Sequence, residues 1–365
     1  MSIYFHQIRV QKVTGVGYLP TAGTYRYPTR RIVNQIRGIM MKQANWILII
    51  LSALLFSCAR VKDPRLTPLL FRSNCNQQNT YAYSKRDISP PLHEIALDTV
   101  LTARFSTPSL NIANAVGILD LLVAYVNRQK AFKQDPSIGN RLDLIELKQR
   151  IDQRINLSSL EISAVASEMD CEEERTSQIG TFLKKREDEL ESKLTVGAIV
   201  VGAVGTIVTT ALIVSHSSGN FGDYAGIISG VLETSFGVGI LLNKQKIDFY
   251  HQRNALKVIW EGHETSENFP PSVWYYLNYF NPQQPDNNSL RFQILEKWMN
   301  LGQISEVDSH KRRNLLDIYF GEGGRYTSEQ LTNRANMYDQ LESYINLMKQ
   351  DLKNLSIQVE NLNAQ

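Results

Sequence analysis

Three cysteines, Cys58, Cys75 and Cys171, are the residues of this 365-residue chain best suited to covalent chemistry. Three are too few for a disulfide scaffold. No other chemistry-bearing pattern is complete. His93-Glu94-Ile95-Ala96-Leu97 begins like a zinc-protease helix, but Leu97 stands where the second histidine is needed. His263-Glu264-Thr265-Ser266-Glu267 fails in the same way. There is no phosphate-binding G-x-x-x-x-G-K-[ST], no G-x-S-x-G nucleophile elbow and no dinucleotide fingerprint. Gly321-Glu322-Gly323-Gly324 reads as a turn, and the acidic runs Glu172–Glu174 and Glu187–Glu189 as solvated helix faces beside Lys and Arg. The sequence therefore predicts no enzyme, no metal site and no cofactor.

Charge and hydropathy show what must position the cysteines. The formal net charge is only +3, which is not that of a nucleic-acid binder. It is unevenly placed: residues 1–57 hold seven Lys or Arg and no Asp or Glu, so the remainder is net acidic. Met40-Met41-Lys42-Gln43-Ala44-Asn45 is followed by the twelve-residue run Trp46 to Ser57. That run is too short to span a bilayer and suits the apolar region of an export signal. Translation is expected to begin at Met40 or Met41, with residues 1–40 an upstream extension and 41–57 a signal peptide.

The end of the run, Leu55-Phe56-Ser57-Cys58, resembles the lipobox of bacterial lipoproteins, with Leu at −3, a small residue at −1 and Cys at +1. Phe56 departs from the usual small or branched residue. The resemblance implies cleavage before Cys58, diacylglycerol on its sulfur and palmitate-type acylation. It also implies a membrane-anchored place in the cell envelope. Ala59, rather than the Asp that retains some lipoproteins at the inner membrane, favours the outer membrane. Cys75 and Cys171 then remain, as one disulfide in an oxidising compartment or as two separate thiols.

Behind the anchor the expected fold is all-α. Residues 58–108 carry scattered prolines and read as a tether with irregular structure, and 109–194 as a helical bundle. Ile112, Val116, Leu119, Leu122, Val123 and Val126 share one helix face before a break at Asp135–Asn140. From Arg141 a long helix should follow, with Leu144, Ile151, Val165 and Ile179 in one heptad row. Ile155, Ile162, Met169, Leu183 and Leu190 fall in the companion row, and Ser158, Glu172, Thr176 and Arg186 interrupt them. Residues 195–242 form an apolar hairpin. Its first arm, Thr195 to Ser215, has no charge, and its second, Ala225 to Leu242, has one acid, Glu233. Ala198 and Gly202, and Gly226 and Gly230, stand four apart and predict close helix packing. The hairpin is either inserted in a membrane or enclosed in a bundle. Glu233 is either an intramembrane polar group or a notch bonded to Thr209 or Thr210.

A returning helix is expected over 243–269, an aromatic-rich insert over 270–325 and a C-terminal coiled-coil helix over 326–365. In the last, Leu331, Tyr338, Ile345, Leu352 and Val359 recur every seven residues, with Leu341, Met348, Leu355 and Leu362 in the companion row and Arg334 as misfit. Its partner is the 141–194 helix or another chain, which leaves self-association open. Trp274, Tyr275, Tyr276, Tyr279 and Phe280 form a core cluster or an interfacial anchor. The layout resembles helical pore-forming toxins in architecture alone. The expected partners are the lipid bilayer and a protein or second copy on the coiled coil. The expected function is a non-enzymatic envelope lipoprotein with a structural or interaction role. The alternative is a membrane-active, pore-forming-like protein.

Overall fold

The computed structural model describes residues 70, 73–76, 80–214, 230, 234–240, 244–282, 288–304 and 310–363. The lipobox residues Leu55, Phe56, Ser57 and Cys58, and Gly226 and Glu233 of the hairpin, lie outside the described residues. The fold of 70–363 is predominantly helical, as the periodicities predict. Its helices are α1 (Thr99–Thr102), α2 (Thr107–Ala115), α3 (Leu119–Gln134), α4 (Ile138–Val214), α5 (Ala255–Glu261), α6 (Pro271–Asn278), α7 (Leu290–Asn300), α8 (His310–Phe320) and α9 (Ser328–Asn363). Strands β1 (Lys246–Tyr250) and β2 (Gly323–Thr327) pair antiparallel, with Ile247 opposite Tyr326 and Phe249 opposite Gly324.

The dominant element is α4, 77 residues without a break, about 115 Å at 1.5 Å per residue. Its first two thirds pack antiparallel on α9. Near the start of α9, a methyl built on Gly180 would lie 3.2 Å from Leu331 Cβ. Near its end, Lys148 pairs with Glu360. Between these points Ile151, Ile162, Val165, Met169, Ile179 and Leu183 of α4 are buried, as are Leu331, Tyr338, Leu341, Ile345, Met348, Leu355 and Val359 of α9. These are the two heptad seams, closed on each other within one chain. Apolar burial at roughly 25 cal/mol per Å² stabilises α9 despite its six asparagines.

Three local readings are corrected. The single helix expected over 110–133 is two, broken at Gly117 with φ +71°, where the Ile118 N–H donates to the Ala113 carbonyl 2.9 Å away. The returning helix expected over 243–269 is instead β1 followed by the short α5. Ile247 and Phe249 point inward while Lys246 and Tyr250 face outward, the period of a half-buried strand. Gly323-Gly324 opens β2 rather than only making a turn. Gly323 has φ +105° and packs so closely on the β1 backbone that a Cβ would strike the Phe249 carbonyl.

The aromatic insert is core. Trp260 stacks on Phe320 at 4.8 Å and Phe269 on Trp274 at 5.7 Å. Trp274, Tyr275 and Tyr276 are buried, and Phe280 at its end is exposed.

Of the polar residues that interrupt the heptads, Ser158, Glu172, Thr176 and Arg334 are buried, and Arg186 is exposed. Arg334, the misfit of α9, is fully buried, with Nη1 donating to the Tyr319 carbonyl at 2.8 Å. Its Nη2 reaches Asn254 Oδ1 and the Tyr338 hydroxyl, each at 3.2 Å. Glu172, expected on a solvated face, is buried and paired with Arg175 at 2.7 Å. Arg175 in turn lies 4.4 Å over the Phe249 ring of β1. Glu168 accepts from Arg253 at 2.7 Å. His251 is buried against the Tyr326 hydroxyl at 3.1 Å. Burial, and then the neighbouring Arg334 and Arg175 guanidinium groups, push its pKa from the ordinary 6.5 down to about 2.

Two predictions follow from this polar centre. His251 is neutral when folded and takes up a proton when unfolded below about pH 6.5, so acidification removes stability, by up to about 1.4 kcal/mol per pH unit. In urea titrations between pH 7 and 4, His251→Gln is expected to lose stability less steeply than the parent. Equal slopes would show that the ring is reached by water in the folded state. Arg334→Ala strands the groups that the guanidinium satisfies, and is expected to cost about 3 kcal/mol or more. Arg334→Met keeps the volume and should cost less, as read by denaturant midpoint.

Candidate membrane-contacting hairpin

Past Leu183 the α4 side chains lose their apolar α9 partners, because α9 begins at Ser328. Helix α4 nevertheless continues for three more turns of mixed charge, Lys184 to Lys193, and then through the uncharged stretch from Thr195. Here Val196, Ile199, Val200, Val204 and Ile207 are 54–68% exposed. An 18-residue window of α4 has a mean hydropathy of 1.5, and none of it is buried. Among the described residues this is the one helix long and apolar enough to cross a membrane. The enclosed reading of the first arm is therefore not what the structure shows: its described side chains project from the bundle.

The second arm returns alongside. Residues 234–240 are helical, and a methyl on Gly197 would sit 3.6 Å from the Phe236 ring. A methyl on Gly239 would correspondingly lie 3.9 Å from Leu194 Cδ1. The two contacts run in opposite chain directions, so the arms are antiparallel. Among the described residues the arms meet at Gly197 and Gly239. Ala198 and Gly202 are half-buried on α4, and a methyl on Gly230 would meet no described atom within 4 Å. Gly226 and Glu233 lie outside the described residues.

The base of the hairpin is fastened by one carboxylate. Glu187 Oε1 accepts the Gln245 backbone N–H at 2.9 Å, and its Oε2 accepts the Ser328 hydroxyl at 2.6 Å. The exit of the second arm and the start of α9 are thus tied to the same turn of α4. Lys244 pairs with Glu329 beside it at 3.5 Å. Lys193 and Lys244 are exposed at this level.

Within the arms the polar side chains turn inward on their own helix. Thr206 donates to the Gly202 carbonyl, Thr210 to the Thr206 carbonyl and Thr234 to the Gly230 carbonyl, at 2.7–2.8 Å. Thr210 therefore gives its proton to its own helix. Backbone and hydroxyl groups satisfied within one helix are what a hydrocarbon environment demands.

The other sequence candidates sit elsewhere. Cys75 and Cys171 are joined in a disulfide with Cα atoms 5.4 Å apart. It ties residues 73–76 to the packed part of α4. His93 is near Glu94, and His263 near Glu261, in separate segments. Among the described residues no three His, Cys, Asp or Glu side chains gather as a metal site would require. Glu187, expected on a solvated face, instead bonds Gln245 and Ser328, and no motif marks it; the buried Glu172–Arg175 pair was signalled by the place of Glu172 in a heptad row.

Comparison with protein-family models, with characterised proteins and with solved structures finds no match for this chain.

Val200 is exposed, so Val200→Asp should leave thermal stability within about 0.5 kcal/mol of the parent. A charge at a helix centre in lipid costs about 2.5–3.5 kcal/mol, so the same change is expected to weaken liposome binding by roughly 50-fold or more. Unchanged co-sedimentation would remove the hairpin as the lipid contact.

Proposed function

We propose that the chain is a non-enzymatic lipoprotein of the cell envelope with a structural or interaction role. It is anchored by acyl chains on Cys58 and makes a second membrane contact through the 195–242 hairpin. The observation that carries this reading is the overhang of α4, an apolar helix with its hydroxyls internally satisfied and its hydrophobic window unburied. Thr195 to Ser215 contains ten Val, Ile or Leu residues. At about −0.3 to −0.6 kcal/mol each, they favour insertion by roughly −3 to −6 kcal/mol. That is enough for a reversible contact and too little for an irreversible one, so a covalent lipid has a distinct part to play. Two acyl chains hold stably where one does not.

The charges support insertion from outside the cytoplasm after export. Lys184, Lys185, Arg186 and Lys193 precede the hairpin, and Lys244, Lys246, Arg253 and Lys257 follow it. Insertion by the inner-membrane route would draw both flanks to the cytoplasm, whereas a lipoprotein exports its mature chain. Modest hydrophobicity lets the hairpin pass through export and then partition into the outer membrane, the localisation proposed here.

Fractionation of cells carrying the parent, Cys58→Ala and Cys58→Ala/Val200→Asp tests both contacts. The parent should be wholly in the membrane fraction and incorporate labelled palmitate. The single variant should be divided between fractions, and the double variant soluble. A parent without palmitate would overturn the anchor, and complete release of Cys58→Ala would overturn the hairpin contact. Dye release from liposomes by the mature chain would replace this reading with the pore-forming one.

A further inference from the structure

We propose that the outward face of the first third of α4 is a pairing face on which two copies of this chain join in parallel. Ile138, Gln149 and Leu160 stand eleven residues apart on this face. Leu142 and Gln153 keep the same interval, as do Ile145 and Asn156. A period of eleven gives about 3.67 residues per turn, so the row follows the axis of a nearly straight helix. It covers about six turns and 33 Å. All seven residues are exposed, Ile138 at 79% and Leu160 at 68%. Ile151, Ile155, Ser158 and Ile162 fall on the opposite side of the helix and are buried.

A helix face that meets only water ordinarily carries charge. Seven charged residues lie between Ile138 and Leu160, and none of them falls in the row. Four apolar side chains with amides between them are the composition of a helix–helix contact whose polar positions set the register. The coil of α9 does not offer such a contact to a second chain, because α4 of the same chain already fills it.

A copy of the same face fits the row. In parallel and in register, each Ile and Leu meets its own kind, and Gln149, Gln153 and Asn156 meet amides. An amide carries donor and acceptor together, so it can satisfy its own copy. Antiparallel pairing about Gln149 would instead set Leu142 on Asn156 and Ile145 on Gln153.

The flanks match as well. At about 100° per residue, Glu146 and Arg150 lie to one side of the row, and Lys148 and Asp152 to the other. Lys148 and Asp152 are already paired at 2.7 Å. Parallel pairing brings the first side of one chain against the second side of its copy. Each flank then runs Glu146, the partner's Lys148, Arg150, the partner's Asp152, in steps of about 3 Å along the axis. Two acids bracket two bases, and the charges cancel. Both α4 overhangs then point the same way, so the pairing agrees with two hairpins entering one bilayer without depending on it.

The full chain carrying Ile138→Cys or Leu160→Cys, purified in detergent and oxidised with copper phenanthroline, tests the pairing on non-reducing gels. The parent supplies the baseline from Cys58, Cys75 and Cys171. Each variant alone is expected to form a covalent dimer well above that baseline, since each position faces its own copy. Lys353→Cys, exposed on α9, should stay at baseline. Glu146→Lys added to Leu160→Cys sets three bases against one acid on each flank and should lower the dimer yield about tenfold. Its thermal midpoint should not move, because Glu146 is exposed. No dimer above baseline from either single variant would overturn the proposal. Dimer formed only when the two variants are mixed would overturn the parallel arrangement, and an unchanged yield with Glu146→Lys would overturn the register. The cross-links read α4 alone, so their failure leaves the lipid contact standing, and loss of lipid binding leaves the cross-links in place.

Discussion

The antiparallel seam between α4 and α9 is the constraint from which the rest follows. Its two ends, Gly180 against Leu331 and Lys148 beside Glu360, fix α4 in position and direction over most of its packed length. Helix α9 starts at Ser328, so the seam necessarily ends near Leu183. Whatever α4 does beyond that point, it does as a rigid continuation of a packed helix. A flexible loop carrying the same apolar residues would collapse onto the body and hide them. A continuous helix cannot, because its backbone hydrogen bonds would have to break first.

Each helix of the seam is tied to the elements that flank it by groups that an ordinary apolar coil would not contain. Arg334 reaches Tyr319, Asn254 and Tyr338, and Arg175 joins Glu172 to the face of Phe249. An apolar row tolerates a slip of one heptad at modest cost, whereas these polar contacts hold α9 to Tyr319 and Asn254, and α4 to Phe249, at one position each. They also explain the β1–β2 ribbon. It places Phe249 and Tyr326, with the adjoining His251, beside the two arginines. The cost of burying the arginines is offset by carbonyl, amide, hydroxyl and ring partners drawn from several elements.

What could be read from the sequence divides along the same line. The α9 rows, the α4 rows and the apolar hairpin are local periodicities, visible in a single segment. Lys246–Tyr250 was not legible as a strand because its partner, Gly323–Thr327, lies far along the chain. In isolation, Ile247 and Tyr250 also suit a helical spacing. Arg334 and Glu172 were visible as irregularities, yet their burial depends on Tyr319, Asn254 and Ser73, which no period connects to them. Gly197 and Gly239 were overlooked for the same reason: their neighbours, Phe236 and Leu194, lie on the opposite arm, and no spacing within one arm connects them.

One helix therefore serves two environments, and the transition between them is set by Glu187. Its carboxylate takes a backbone N–H from the chain leaving the hairpin and a hydroxyl from the first residue of α9, at the turn where protein packing ends. Upstream, the apolar surface of α4 is satisfied by Leu, Ile, Met and Tyr of α9. Downstream, the same kind of surface has only the facing arm of the hairpin to meet, and most of it remains in contact with solvent. In water that second half is an unmet driving force of several kcal/mol. Such a force acts on the body through a rigid lever, so a contact made by residues 196–207 orients the whole seam with it. The proposed lipid contact is the reading in which something apolar covers the overhang. On that reading the hydroxyls of Thr206, Thr210 and Thr234, already satisfied within their own helices, ask no new hydrogen bond of hydrocarbon.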